Sequence, residues 1–394
     1  MRPASRAVLD TASRTVFSLS QLERSNKGKF VRKLRVGLVG AGLVGQAEHA
    51  FYLWEERARF AFVALADASA AVRRDLGERY GLAELHAEIG GLLNLGLDAV
   101  VIAAPDPFHP ELAVAALEAG LHVLCEKPLA LTLDGCDRIQ AARDRSGRVL
   151  QVAYMKRHDP AYRRALELLP ARIEDVKLIS VEVNDPDHEP FVAHLPMTGP
   201  GDLPAARRER SRAAAAAQLR LAAGGEAGEA GLRALSGGFL SSLVHDVAVV
   251  HGVLAHFGCD LPDAADHGAF FDDGRGVQLG FGLPGGGRAS MTHLALPGVP
   301  DYTERITIYC RDRIVDLTFP SPYLRHLPTR LTLRRGTGQA LEIQDHRVSY
   351  EEAFREQLRA FHAACCGEAP VATPIEQARR DVALLISAFH KATG

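Results

Sequence analysis

The sequence predicts an α/β N-terminal domain on a parallel sheet, followed by an α+β C-terminal domain with an open, mostly antiparallel sheet. Three observations carry this reading. Before about residue 155 the strand-length apolar runs show no alternation, as strands buried on both faces do. After it, several runs alternate apolar with polar residues, as strands with unequal faces do. A glycine-rich turn, Gly40-Ala41-Gly42-Leu43-Val44-Gly45, lies between a strand-like and a helix-like segment.

The elements can be justified in order. Leu34–Val39 is short, apolar and rich in branched residues, and 43–56 continues without proline or glycine after Gly45, so strand, turn and helix stand in register. Gly40 serves the tight turn, Gly42 lets a pyrophosphate approach the backbone, and Gly45 allows close packing of helix on strand. Free N–H groups at the helix start then face the phosphates. The next strand, Phe60–Ala66, ends in Asp67, 22 residues after Gly45, where an acidic side chain meets the adenosine ribose hydroxyls. That position favours NAD; NADP stays open because Arg73 and Arg74 could turn toward a 2′-phosphate.

A buried strand over 98–104 stops at Pro105-Asp106-Pro107-Phe108-His109-Pro110, and a helix over 111–119 is closed by Gly120. His122–Cys125 then delivers Glu126-Lys127-Pro128 to the carboxyl end of the sheet, where such sheets bind ligands. A helix over 133–145 and a strand over 149–154 finish a domain spanning 34–154. Residues 1–33, basic and polar without a secretory signal's apolar stretch, read as a flexible extension.

The second domain, 155–394, offers strands over 176–183, 276–283, 289–296, 304–310 and 314–319. Ala205–Ala223, built largely of alanine and arginine, reads as an inserted helix on a surface excursion before Gly237-Gly238, with coverage of the pocket as the alternative. The run from Phe239 to Val247 is helical and puts Ser241 and His245 one turn apart on one face, with Asp246 about 100° away.

These motifs together are similar to the glucose-fructose oxidoreductase and inositol dehydrogenase (Gfo/Idh/MocA) family: the glycine fingerprint, Ala104-Pro105 with His109, Glu126-Lys127-Pro128, Gly237-Gly238 before His245, and the ending from Phe354 to Phe361. The resemblance implies a Rossmann domain paired with an open-sheet domain, and hydride transfer between a secondary alcohol of a sugar or cyclitol and NAD or NADP. It also implies that Ala104, Pro105, His109, Glu126 and Arg157 lie about the cofactor. Tyr154, Arg157, Ser241 and His245 would lie about the substrate. The family pattern commonly has aspartate where this sequence has Ser241.

The chemistry needs a proton-relay group, since hydride leaves carbon while the hydroxyl proton goes to a base. Lys127 is the candidate, with its charge disfavoured by burial and by the oxidised nicotinamide. His245 is the second acid-base group. Asp185-Pro186-Asp187-His188-Glu189 reads as an exposed acidic loop, with substrate hydrogen bonding as a second reading; no metal site is expected.

A formal charge of −2 gives no electrostatic argument for nucleic acid, and six cysteines without CxxC spacing suggest neither disulfides nor zinc. The expectation is a cytoplasmic homo-oligomer, dimer or tetramer, without membrane association, acting on a small polyhydroxylated molecule. Two alternatives stay open: a nucleotide-dependent sensor of the same fold, and an NAD-assisted glycoside hydrolase.

Overall fold

The computed structural model describes residues 22–24, 30–225 and 227–394. Most of the expected 1–33 extension lies outside them; within it Leu22–Arg24 (β1) pairs antiparallel with Phe30–Arg32 (β2). The first domain holds Leu34–Val39 (β3), Phe60–Ala66 (β4), Glu84–His86 (β5), Ala99–Ile102 (β6), His122–Cys125 (β7) and Leu150–Val152 (β8). Their order is β5-β4-β3-β6-β7-β8, with every neighbour pair parallel. The sequence order reverses between β3 and β6, which opens a crevice at their carboxyl ends. β6 is buried at all four positions, so its unalternating Ala-Val-Val-Ile reflects cover on both faces.

The second sheet contains Val176–Asp185 (β9), His267–Phe271 (β10), Gly276–Gly282 (β11), Arg288–Ala295 (β12), Thr303–Cys310 (β13), Arg313–Phe319 (β14), Arg330–Thr337 (β15) and Ala340–His346 (β16). Its order is β10-β11-β12-β9-β13-β14-β15-β16, antiparallel throughout except for the β12–β9 pair. One face is covered by the stretch Glu229–His256 and the final helix Ile375–Thr393. Glu229–His256 is long and apolar enough to cross a bilayer, yet it is mostly buried here as a core helix. A Cβ on Gly238 would lie 2.6 Å from Val277 Cγ1, so glycine is what lets this helix meet β11 closely.

The helix Ala353–Cys365 crosses back to the first domain. Phe354, Leu358, Phe361 and Cys365 recur at helical spacing and pack with Leu34, Val36 and Phe60. Outside that seam Arg359 pairs with Glu56 at 2.8 Å. Burial of Phe354, Leu358 and Phe361 stabilises the fold by about 1.5–3 kcal/mol each. The two domains are therefore held in one register, which fixes the crevice between them.

Candidate active site

The glycine turn is shaped as its residues require. Gly40 has φ +84°, and a Cβ there would lie 2.5 Å from Ala104 Cα, so only glycine fits against the end of β6. A Cβ on Gly45 would lie 2.6 Å from Gly40 O, whereas one on Gly42 would meet nothing within 4 Å. Gly42 thus faces open space. The helix that follows is not regular: Gly45–Ala50 forms a widened π turn before Phe51–Glu55, a departure common at functional sites. It carries Glu48 and His49 inward. His49 Nε2 meets Glu126 Oε1 at 2.7 Å.

A cavity of about 1050 Å³ runs along this turn, bordered by Gly40 to Val44 on its floor, Asp67 at one end, and Glu126 and Lys127 toward the other. Asp67 Oδ2 accepts from Ala41 N and Oδ1 from Ser69 N, both at 2.8 Å, so its carboxylate is aimed and still lines the cavity. Ala104 and Pro105 also line it. Over the opening lies the inserted helix Ala205–Ala223, which contributes Arg207, Arg208, Arg210 and Arg212. Of the two readings of this helix, a surface excursion or cover for the pocket, the second fits: it forms a cationic wall of the crevice. Its near-uniform alanine and arginine content carries no amphipathic signal from which that placement could be read.

A dinucleotide fits these residues. The open face at Gly42, the free helix start and the arginines suit a pyrophosphate, and Asp67 suits ribose hydroxyls.

Lys127 stands where β7 ends, with Lys127-Pro128 a cis peptide. Its Nζ donates to Ser241 O at 3.1 Å, which ties it to the helix bearing His245. Desolvation, aided by the charge of Lys156, lowers its pKa from the usual lysine value, although Glu126, Asp106 and Asp185 oppose the shift. Glu126 Oε2 accepts from the main-chain N of Lys127 at 3.1 Å, and its charge is the first of those opposing the shift of the amine. Burial alone would raise Glu126, but the His49 hydrogen bond and the neighbouring positive charges hold it below the usual carboxylate range. The amine is thus primed toward neutrality beside a fixed anion.

His245 is half-buried and is not among the residues lining the cavity, and its Nδ1 is itself buried without a hydrogen-bond partner. Burial of the ring, then the charges of Lys127 and Lys156, push its pKa well below the ordinary histidine value. The shift favours the uncharged ring and makes it a weak proton acceptor, better suited to hydrogen bonding. Ser241 contributes its main-chain carbonyl to Lys127, which a serine or an aspartate at that position supplies equally. Asp246 points away from the histidine's face, as the helix geometry requires, into a buried group with Glu304 and Lys156. Burial and the Glu304 charge push Asp246 well above the usual carboxylate range; burial would raise Glu304 too, but Lys156, paired with it, holds it below that range, and Tyr302 OH also donates to Glu304.

Three expected site residues are placed elsewhere. His109 is fully buried, with Nδ1 2.8 Å from Pro128 O and Nε2 2.8 Å from Ala104 O, so it fastens two loops of the crevice from behind rather than lining the nicotinamide side. Arg157 donates to Ala248 O at 3.1 Å and to Gln377 Oε1 at 3.2 Å, joining two helices of the second domain rather than touching cofactor or substrate. Tyr154 is buried in the core beside Asp381, not open to a substrate. In each case a polar group near the crevice is consumed by main chain or packing behind it. The residue that sequence reasoning passed over is Lys156. Its partner Glu304 is 148 positions away, so no local spacing announces the pair. Asp185, in the loop expected to be an exposed acidic stretch, lies at the end of β9 with its charge within reach of Lys127. Among the described residues no group of histidine, cysteine and acidic side chains is arranged to hold a metal ion.

Comparison with known proteins gives a consistent picture. Residues 34–154 match the model of a family described as an oxidoreductase family with an NAD-binding Rossmann fold. Inositol 2-dehydrogenase 1 of Saccharopolyspora erythraea is 43% identical over 140 residues, which cover 34% of this chain and 41% of that protein. An inositol 2-dehydrogenase of Klebsiella pneumoniae is 36% identical over 132 residues, covering 33% and 39%. The chain's match thus spans about two fifths of these relatives' length. Among solved structures, an aldose-aldose oxidoreductase of Caulobacter crescentus complexed with glycerol superposes with TM-score 0.69 at 16% identity, over 92% of this chain and 98% of that one. A levoglucosan dehydrogenase in complex with NADH and levoglucosan superposes with TM-score 0.68 at 17% identity, over the same shares. At such identities the likeness extends to the fold of both domains and no further.

Proposed function

We propose that this chain, whose residues 34–154 match the Gfo/Idh/MocA oxidoreductase family model, is a nicotinamide-dependent dehydrogenase acting on a CH–OH group of a sugar, cyclitol or sugar derivative. The observation that carries the reading is the continuity of one crevice from Asp67, past the glycine turn, to Lys127. When bound there, the nicotinamide would supply the hydride acceptor or donor. Everything else falls to side chains of the protein. Asp67 and the glycine turn orient the dinucleotide. Lys127, partly desolvated and held by Ser241 O, takes the proton of the substrate hydroxyl in oxidation and returns it in reduction. His245, one turn from the Ser241 carbonyl that holds Lys127, orients the same hydroxyl or accepts its proton, the second role being opposed by its lowered pKa. Glu126, fixed by His49, holds an anion beside the amine and the oxidised ring. Asp67 favours NAD, and the relatives named as inositol dehydrogenases favour a polyol or cyclitol substrate.

The test is a panel of sugars, cyclitols and sugar derivatives with NAD and NADP, followed through reduced nicotinamide. Turnover with at least one polyol is expected. Tight nucleotide binding with no turnover across the panel would replace this reading with that of a sensor, and release of an aglycone without net reduced cofactor would replace it with glycoside cleavage.

A further inference from the structure

The segment between β9 and the helix Ala205–Ala223 leaves the second domain and is strapped across the first. Gln46 donates to Thr198 O at 2.9 Å and accepts from Thr198 N at 3.0 Å. Thr198 Oγ1 donates to Asp75 Oδ2 at 2.8 Å, and Arg79 donates to Pro196 O at 2.6 Å. Four residues beyond Thr198, the strap sets a carboxylate at the start of the helix Ala70–Tyr80. Asp202 Oδ2 accepts from Ala71 N at 3.1 Å, and Oδ1 accepts from the Ser69 hydroxyl. Ser69 is the cap of that helix, with its own oxygen accepting from Val72 N at 3.1 Å. It also stands two residues after Asp67, on the same turn that would face the adenosine ribose.

A 2′-phosphate at this ribose would carry a charge of about −1.5 to −2 and would need donors such as a serine hydroxyl and the free N–H groups of a helix start. Both kinds of donor exist here, and both are taken by a carboxylate of the chain itself. We propose that Asp202 is a specificity-determining residue, occupying the anion position beside the ribose and so making the crevice selective for NAD over NADP. This rests on the nucleotide-dependent reading given above and deepens it. The cations nearby do not reverse the preference. Arg73 is turned inward, but its Nη1 donates to Asp67 O at 2.6 Å and Ala68 O at 3.2 Å, and Arg74 is exposed. The arginines of the overlying helix border the whole cavity, and Arg207 is already paired with Glu88 at 3.5 Å. They attract either cofactor, and the choice falls to the groups at the ribose.

The experiment measures dissociation constants of NAD and NADP by titration calorimetry, at one ionic strength, for the full chain and for Asp202→Asn and Asp202→Ser. The unaltered protein should bind NAD more tightly. Asp202→Ser frees the Ser69 and Ala71 donors and removes the like charge, so the NADP-to-NAD ratio of constants should fall by about tenfold or more; Asp202→Asn, which removes only the charge, should give a smaller fall. Arg207→Ala should weaken both dinucleotides alike. A ratio unchanged in both Asp202 variants, a preference for NADP in the unaltered protein, or a loss confined to NADP in Arg207→Ala would each overturn the proposal. Failure of the unaltered protein to bind either dinucleotide would instead overturn the nucleotide reading on which it stands.

Discussion

Replacing Lys127 with methionine keeps the length and the packing of the side chain while removing its proton-carrying group. A positioned acid-base group contributes about 10²–10⁴ in rate, or about 2.7–5.5 kcal/mol at 1.36 kcal/mol per decade. The surroundings narrow that range. Lys156 is committed to Glu304, and His245, with a buried Nδ1 and a lowered pKa, is a weak substitute base, so little of the transfer is taken over by either. A loss of about 10³ in kcat is therefore expected for Lys127→Met. Cofactor affinity should stay within about threefold, because the diphosphate and ribose contacts lie elsewhere in the crevice. The pH dependence separates this account from a structural one. Oxidation needs the uncharged amine, so the rate should rise with pH through an ionisation below the ordinary lysine value, the direction set by desolvation, and that rise should vanish in the variant. Steady-state rates across pH, paired with a cofactor titration, supply both readings. Turnover within tenfold of the parent, or a loss accounted for by cofactor affinity alone, refutes the role of Lys127.

Other consequences follow from the same geometry. Gly45→Ala forces a Cβ to 2.6 Å from Gly40 O, so it should weaken dinucleotide binding at least about tenfold and cost about 1–3 kcal/mol of stability, read by titration and thermal melting. Lys156→Met leaves the ionised Glu304 buried without its partner and should destabilise by about 3–5 kcal/mol in denaturant titration, while pairing it with Glu304→Leu should recover much of the loss. Glu48 is pushed up to about 8 from 4.5, mainly by burial, with Arg325 opposing. The folded state then holds this proton more tightly than the unfolded one, so its contribution is complete below about pH 4.5 and is lost as pH rises toward about 8. Melting curves should show Glu48→Gln gaining stability over the parent as pH rises through that window; a constant difference would contradict the assignment.

Much of the fold was legible because its signals are local. The glycine turn, Asp67 and Lys127 each follow a short apolar run that must be a buried strand, so their common placement at the carboxyl edge of one sheet comes from chain order alone. The strands over 176–183 and 304–310 were legible through alternation, and they extend only slightly further in the structure, to Val176–Asp185 and Thr303–Cys310. The hairpin of β15 and β16 was not anticipated, since exposed residues and charges at its outer edge dilute the apolar period. His109 and Arg157 matched the expected positions in sequence but not in role. Whether a polar side chain beside a crevice faces into it is decided by which main-chain carbonyls lie behind, Pro128 O for one and Ala248 O for the other, and these come from distant segments. The strap through Thr198 and Asp202 is of the same kind: its contacts span more than 110 positions and leave no periodic trace. Likewise the switch to a π turn at Gly45–Ala50, which brings His49 to Glu126, is set by tertiary packing and not by helix propensity.

The central claim, that one crevice presents a dinucleotide and an alcohol to the same amine, is tested most directly by a crystal structure of the protein with NAD and a bound polyol. The pyrophosphate should lie over Gly40 to Leu43 and a substrate hydroxyl within about 2.6–3.2 Å of Lys127 Nζ, its carbon facing the pyridine ring. A polyol seated away from Lys127, or a dinucleotide whose pyridine ring points out of the crevice, would contradict it.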